Sequence, residues 1–386
     1  MLLLGPSGNI LTAAQTLDCP LHVVAAAAGP SRPLRPGDRY TQADFCSDEG
    51  LKDLISVLED GDQVPCAVLS VTEDGLLPAA VIADRLGIAG TPYPVTLAMR
   101  DKLRMRAVLA EVCPEITVPA VRAEDRDAVA DLVRARGDVI VKPTRGTASL
   151  GVRRVRSIEE FDELDDALKR DAQVEPLVRG TEVTVETRSV GGKHTVFGVV
   201  EKHVTDNYVE VGHVLPPASL TERELTVVER AVATALDALS YVDGLSCTEV
   251  IVSGDTAVIV ETHNRLGGDG LADLVQLTSG VDWRHAAVAW PVTTELRQAP
   301  PRAPAAAVVF FTAPPGRVVE VMSAPPEMAG VTFEEWDVTV GPGDEVGELA
   351  SSADRLGGAL FSAATAEACT RALRQIRELP VVVTDG

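Results

Sequence analysis

Short apolar runs alternate with longer stretches of helical period at the start of the chain, and this alternation predicts a parallel sheet with crossover helices. Leu2 to Leu4, Leu21 to Ala28 and Val64 to Val71 read as buried strands, with a helix from Gly75 to Leu86. Sheets of this kind carry ligand sites beyond the C-terminal ends of their strands. Gly5-Pro-Ser-Gly8 follows the first strand but has neither the third glycine of a dinucleotide fingerprint nor a Lys-Ser/Thr ending, so it reads as a tight strand-to-helix turn.

The pattern changes at Thr91-Pro-Tyr-Pro94, where a domain junction is expected. Val95 to Glu111 reads as one helix carrying Asp101, Lys102, Arg104 and Arg106. From Val139 to Val204 β-branched residues dominate, interrupted by one predicted helix from Ile158 to Arg170 that opens on a Ser157/Glu160 capping box. A second box, Thr221 and Glu224, opens a helix to Leu239; then Ser246 to Val252 and Thr256 to Val260 flank Ser253-Gly-Asp255 and predict a hairpin. Pro300 to Pro304 sets off a last region with strands at Ala306 to Phe311 and Val381 to Val383. The expected division is an α/β domain over 1–95, a two-lobed domain over 96–300 with its small lobe at about 113–180, and a C-terminal region over 301–386.

Composition narrows the function classes. A chain of 386 residues that is 46% hydrophobic can bury several cores. Lys and Arg number 35 against 57 Asp and Glu, a formal charge of −22 that repels nucleic acids and anionic membranes, so neither is expected as a partner. Any phosphate site must then be a local concentration of cations. The six cysteines are scattered without a Cys-x-x-Cys pair and read as reduced thiols in a cytoplasmic protein. The opening Met1-Leu-Leu-Leu lacks a basic leader, and no apolar run approaches ~20 residues, so neither a signal peptide nor a membrane span is expected.

Three constellations carry candidate chemistry. Lys142 ends the apolar run Val139-Ile-Val, and the small-residue loop from Thr144 to Gly151, with Thr147 and Ser149, can fold over phosphates through its N–H groups; a plain hairpin loop would look much the same. Glu175-Pro-Leu177-Val178 offers backbone groups to an adenine, and Glu182 a carboxylate to a ribose, although two acids on an edge strand also fit. Glu249 on one hairpin strand and Glu261 on the other can face the same side and hold a hard divalent cation, with Arg265 beside them to neutralise a transferred phosphoryl group. A salt-bridged hairpin end is the alternative, but acids entering apolar strands need compensating charge.

In this order Lys102, Lys142, the loop to Gly151, Glu175, Glu182, Glu249, Glu261 and Arg265 resemble the ATP-grasp superfamily, specifically its carboxylate–amine ligases of the L-amino acid ligase and carnosine synthase group. The resemblance covers the whole chain and implies the ATP-grasp fold: an N-terminal parallel-sheet domain, a two-lobed nucleotide cleft, and a biotin-carboxylase-like C-terminal region suggested by Gly343-Asp-Glu-Val, Arg355-Leu-Gly and Ala366-Glu-Ala. It implies ATP and Mg2+ (or Mn2+) as cofactors. Lys102 and Lys142 would touch phosphates, Glu175, Leu177 and Val178 the adenine, and Glu182 the ribose. Glu249 and Glu261 would ligate the metal, and Arg265 would stabilise an acyl phosphate. Where the family has Glu-x-Asn-x-Arg, this chain reads Glu261-Thr-His263-Asn264-Arg265, so either His263 takes up a contact to metal or phosphate or water does. Glu201-Lys202-His203 followed by Glu210-Val-Gly-His213 resembles the family's substrate stretch: Glu210 would meet an ammonium, with His213 and Gly268 near the substrate; a solvated edge strand also explains Lys202 and His203.

The resemblance implies a ligase that joins an amino acid carboxylate to an amine or second amino acid, dipeptide synthesis through an acyl phosphate, and it is compatible with a homodimer. Two alternatives stay open: a bicarbonate-using or purine-pathway relative, and a nucleotide-binding module without catalysis.

Overall fold

In the computed structural model, which describes residues 1–61, 64–146 and 150–386, the first four strands are parallel in the order β3-β2-β1-β4. They are β1 (Leu2–Leu4), β2 (His22–Ala25), β3 (Arg39–Gln42) and β4 (Val68–Ser70). β1 and β4 are buried on both faces, which is why they are written as continuous apolar runs. β3 is the edge strand, polar and half exposed, and its Arg-Tyr-Thr-Gln sequence gives no strand signal. Helices α1 (Gly8–Ala14), α2 (Asp48–Glu59) and α3 (Glu73–Leu86) connect the strands. The expected turn is present: Gly5 takes a φ of 58°, and Ser7 caps α1 by accepting from the Ile10 N–H at 3.5 Å. α3 starts two residues earlier than the sequence pattern suggests, which puts Glu73 in its first turn just beyond β4.

The single helix expected over 95–111 is two, α4 (Tyr93–Arg100) and α5 (Lys102–Val112). Asp101 between them is extended (φ −108°, ψ 103°), and its carboxylate accepts from the Arg104 N–H at 3.1 Å. The break has a tertiary cause, because the Lys102 N–H donates to Thr144 O at 2.9 Å and pins the helix start to the small lobe. That lobe is an antiparallel sheet in the order β5-β8-β6-β7, built from β5 (Val121–Arg122), β6 (Val139–Pro143), β7 (Arg153–Val155) and β8 (Ala172–Pro176). Its helices are α6 (Arg126–Arg136), α7 (Ile158–Asp162) and α8 (Asp166–Lys169). The one helix expected over 158–170 is therefore split. Its capping box is half formed, since Ser157 accepts from the Glu160 N–H while Glu160 accepts from the Arg156 N–H instead of that of Ser157.

Next come β9 (Thr181–Val190), β10 (Lys193–Val204), β11 (Glu210–Leu215), helix α9 (Glu222–Ala238), β12 (Gly244–Ser253) and β13 (Thr256–His263). Helices α10 (Leu271–Ser279) and α11 (Trp283–Ala289) lead to β14 (Ala305–Phe310), β15 (Gly316–Val321), β16 (Val331–Val338), β17 (Glu345–Val346), β18 (Gly357–Ala363), α12 (Ala366–Arg377) and β19 (Val382–Thr384). One sheet runs β13-β12-β9-β10-β11-β14-β18-β16, so three C-terminal strands extend the sheet that carries the hairpin. Leu3, Leu11 and Leu69 share a buried cluster with Leu274, Trp283 and Val288, which docks the N-terminal domain on α10 and α11. Among the described residues no helix is long and apolar enough to cross a membrane.

The capping box of α9 is complete, with Thr221 accepting from the Glu224 N–H at 3.3 Å and Glu224 accepting from the Thr221 N–H at 2.9 Å. Thr221→Ala is expected to cost about 1 kcal/mol in urea unfolding; an unchanged midpoint would show that packing of α9 on β12 and β13 alone fixes its start.

Candidate active site

A cavity of about 730 Å3 lies between the small lobe and the large sheet, with Lys102, Lys142, Glu175, Glu182, Glu249 and Glu261 in its wall. Leu177 and Val178 line it too, and the Leu177 N–H donates to Asp138 O at 2.9 Å. Thr147 and Ser149 lie outside the described residues.

In the small lobe, antiparallel pairing of Ile140 with Glu175 brings Lys142 Nζ to 2.5 Å from Glu175 Oε1. Arg106 Nε on α5 donates to Glu175 Oε2 at 3.1 Å, and its other nitrogens reach Ile259 O and Val260 O on β13. Arg106 thus ties both lobes to one carboxylate. Burial raises the Glu175 carboxyl, but Arg106 and Lys142 outweigh it and hold it below the usual range. Both Glu175 oxygens are engaged by cations.

On the large sheet Glu249 and Glu261 stand opposite one another across β12 and β13, in the register the hairpin implies. Lys102 Nζ contacts Glu261 and donates to Gly146 O at 3.1 Å, bridging β13 and the loop that follows β6. Lys202 Nζ lies 2.7 Å from Glu182, 2.7 Å from Glu210 and 3.1 Å from Glu249. Burial alone would push its ammonium down, yet the three carboxylates push it well above its ordinary value. Glu249 is pushed up to about 7, by burial first and by the neighbouring acids against the pull of Lys202. Lys202 is only 9% exposed, unlike a solvated edge-strand residue. Four acids converging on one cleft was the signal that could have singled it out.

Glu73, at the start of α3, is a residue that sequence reasoning missed. Its Oε1 accepts from Arg265 Nε at 2.7 Å and lies 3.0 Å from His263 Nδ1, while Oε2 meets Arg100. His263 Nε2 lies 3.2 Å from Glu261 Oε1. Burial disfavours a charged ring at His263, but Glu261 and Glu73 outweigh it and raise its pKa. Both ring nitrogens are turned to carboxylates, Nδ1 toward Glu73 and Nε2 toward Glu261. After Arg265 the loop is held by Glu186, which accepts from the Gly267 N–H at 2.9 Å and from Trp283 Nε1 at 2.5 Å; burial pushes its carboxyl up to about 6. A Cβ on Gly267 would stand 2.4 Å from Glu186 Oε1, whereas one on Gly268 would meet nothing within 4 Å.

Glu210, His213 and Asp269 form a third group. His213 Nε2 lies 3.9 Å from Glu210 Oε2 and 3.8 Å from Asp269 Oδ2, and Arg355 grips Asp269 from the C-terminal region.

Residues 99–269 match the ATP-grasp domain family, and residues 309–384 match L-amino acid ligase C-terminal domain 2. The chain therefore carries an ATP-grasp domain followed by a C-terminal domain of the L-amino acid ligase type. The chain is 27% identical over 218 residues to a D-alanine–D-alanine ligase of Streptomyces griseus, covering 51% of this chain and 56% of that protein. It is 26% identical over 264 residues to human carnosine synthase 1, covering 61% of this chain and 32% of the relative. The chain thus spans about half or less of the length of these relatives. The crystal structure of an L-amino acid ligase from Bacillus licheniformis superposes with a TM-score of 0.77 at 19% identity, covering 100% of this chain and 98% of that one, which establishes a shared fold.

Burial raises the Glu73 carboxyl, but His263, Arg265 and Arg100 overcome it and pull it from 4.5 down to about 2. A depressed acid contributes stability above its unfolded value and loses it on acidification, here as pH falls from 4.5 toward 2. Glu73→Gln should therefore cost about 3 kcal/mol at pH 7. The difference from wild type in denaturant unfolding should shrink below pH 4.5; a pH-independent difference would contradict the ion-pair account.

Proposed function

We propose that the protein uses ATP to activate an amino acid carboxylate as an acyl phosphate and transfers the acyl group to an amine or second amino acid, releasing ADP and phosphate. The observation that carries this reading is the convergence on one cleft of Lys102 and Lys142 with the facing pair Glu249 and Glu261, Arg265 standing beyond them. The names of the relatives, two of them amino acid ligases and one a carnosine synthase, support amino acids as substrates.

The donor set fits a magnesium ion, or manganese, because Glu249 and Glu261 present hard carboxylate oxygens side by side. Bound there, the cation would neutralise charge on the β- and γ-phosphates. Lys102 and Lys142 now lie on Glu261 and Glu175, and both exchange a carboxylate for phosphate oxygens when nucleotide enters. Glu182 takes the ribose hydroxyls, and the backbone at Leu177 and Val178 the adenine edge. The substrate carboxylate attacks the γ-phosphorus and the bond to ADP breaks. The amine then attacks the acyl carbon, phosphate leaves with one former carboxylate oxygen, and the amine loses a proton. Arg265 stabilises the charge on the acyl phosphate and the tetrahedral species. His263, between Glu261 and Glu73, holds both carboxylates in place. Glu210 and His213 with Gly268 form the substrate side, and the loop from Thr144 to Gly151 excludes water that would hydrolyse the intermediate.

Incubation with ATP, magnesium and amino acids singly and in pairs tests the reading. Phosphate release should depend on a particular pair, yield their mass sum less water, ignore bicarbonate, and fall by at least about 100-fold in Glu261→Ala. Release that is insensitive to every amino acid, or stimulated by bicarbonate, would overturn it.

A further inference from the structure

Asp269 is held in an unusual way. It follows Arg265-Leu-Gly-Gly and precedes the cap of α10, and its φ of 53° is a left-handed conformation that few non-glycine residues adopt. Arg355 grips its carboxylate with both arms, Nη1 to Oδ2 at 3.0 Å and Nη2 to Oδ1 at 2.6 Å. This fork is itself built. Arg355 Nε donates to Ser352 O at 2.7 Å, in a turn closed by reciprocal hydrogen bonds between Ser351 and Asp354. The guanidinium lies 3.7 Å from the ring centre of Phe310, at the end of β14, and that same ring meets His213 edge-on at 5.8 Å. Arg355, Asp269, His213 and Phe310 therefore close a circuit of contacts between the C-terminal region and the substrate side of the cleft.

The circuit leaves a gap. His213 is 1% exposed, and neither ring nitrogen has a hydrogen-bond partner among the described residues. The 3.8 and 3.9 Å separations to Asp269 and Glu210 are too long for direct hydrogen bonds, but a single donor group placed between them reaches all three. A metal could span the same distances, yet both Asp269 oxygens already accept from Arg355. Burial raises the Asp269 carboxyl, but His213 and Arg355 overcome this and hold it ionised far below the usual range.

We propose that Arg355 is a positioning residue that fixes Asp269 against His213, and so makes the C-terminal region part of the amino acid pocket. The proposal rests on the ligase reading. A lysine cannot reproduce the role, because it lacks the planar fork that holds both oxygens and stacks on Phe310. Asparagine at 269 keeps the left-handed backbone and removes the charge.

Arg355→Ala, Arg355→Lys, Asp269→Asn and the Asp269→Asn/Arg355→Ala double variant test it. Both Arg355 variants should raise the KM for the amino acid that supports phosphate release by on the order of tenfold, while the KM for ATP stays within about twofold. The double variant should be no worse than the worse single one, since Arg355 acts through Asp269. The ring signal of His213 in a histidine-resolved NMR spectrum, assigned by its loss in His213→Gln, should move in Arg355→Ala and move no further in the double variant. Equal changes in both KM values, additive effects, or an unmoved ring signal would overturn the proposal. If no amino acid pair releases phosphate the ligase reading fails separately, and the ring signal still decides the role of Arg355.

Discussion

Glu249 and Glu261 face one another from adjacent strands, and two carboxylates in that position cannot stay buried without cations beside them. Lys102 approaches from the α4–α5 break and Lys202 from β10, while His263 flanks Glu261 and turns its other nitrogen to Glu73. The surrounding architecture follows from that need. The break at Asp101 directs Lys102 inward, Arg106 joins the small lobe to β13 through Glu175, and α3 begins early enough to bring Glu73 under Arg265. A cleft neutralised internally in this way suits the proposed polyanion with its cation, because a phosphate oxygen can replace a carboxylate as the partner of each lysine.

The parts legible in the sequence were those with local causes. The buried parallel strands announced themselves as unbroken apolar runs, and Gly-Asp between alternating strands gave the hairpin and hence the facing of Glu249 and Glu261. The parts that were not legible depend on distant partners. Nothing near Asp101 forecasts a helix break that is set by Thr144, and polar β3 lacks the pattern of a strand because it lies at an edge. Glu73 becomes meaningful only beside Arg265, 192 positions away, and Arg355 only beside Asp269, 86 positions away. A solvated edge strand stayed open as a reading of Lys202 because its three acids come from three other strands.

The C-terminal region is continuous with the large sheet through β14, which pairs with the strand that bears His213. The proposed role of Arg355 therefore has a second physical link beside it, the backbone register between β14 and β11.

Transfer of oxygen from carboxylate to phosphate tests the central claim most directly. With the substrate amino acid labelled by 18O in its carboxylate, an acyl-phosphate route sends one labelled oxygen into the released phosphate and keeps the other in the amide. Phosphate free of label, with amide formed, would contradict activation of the carboxylate by phosphoryl transfer.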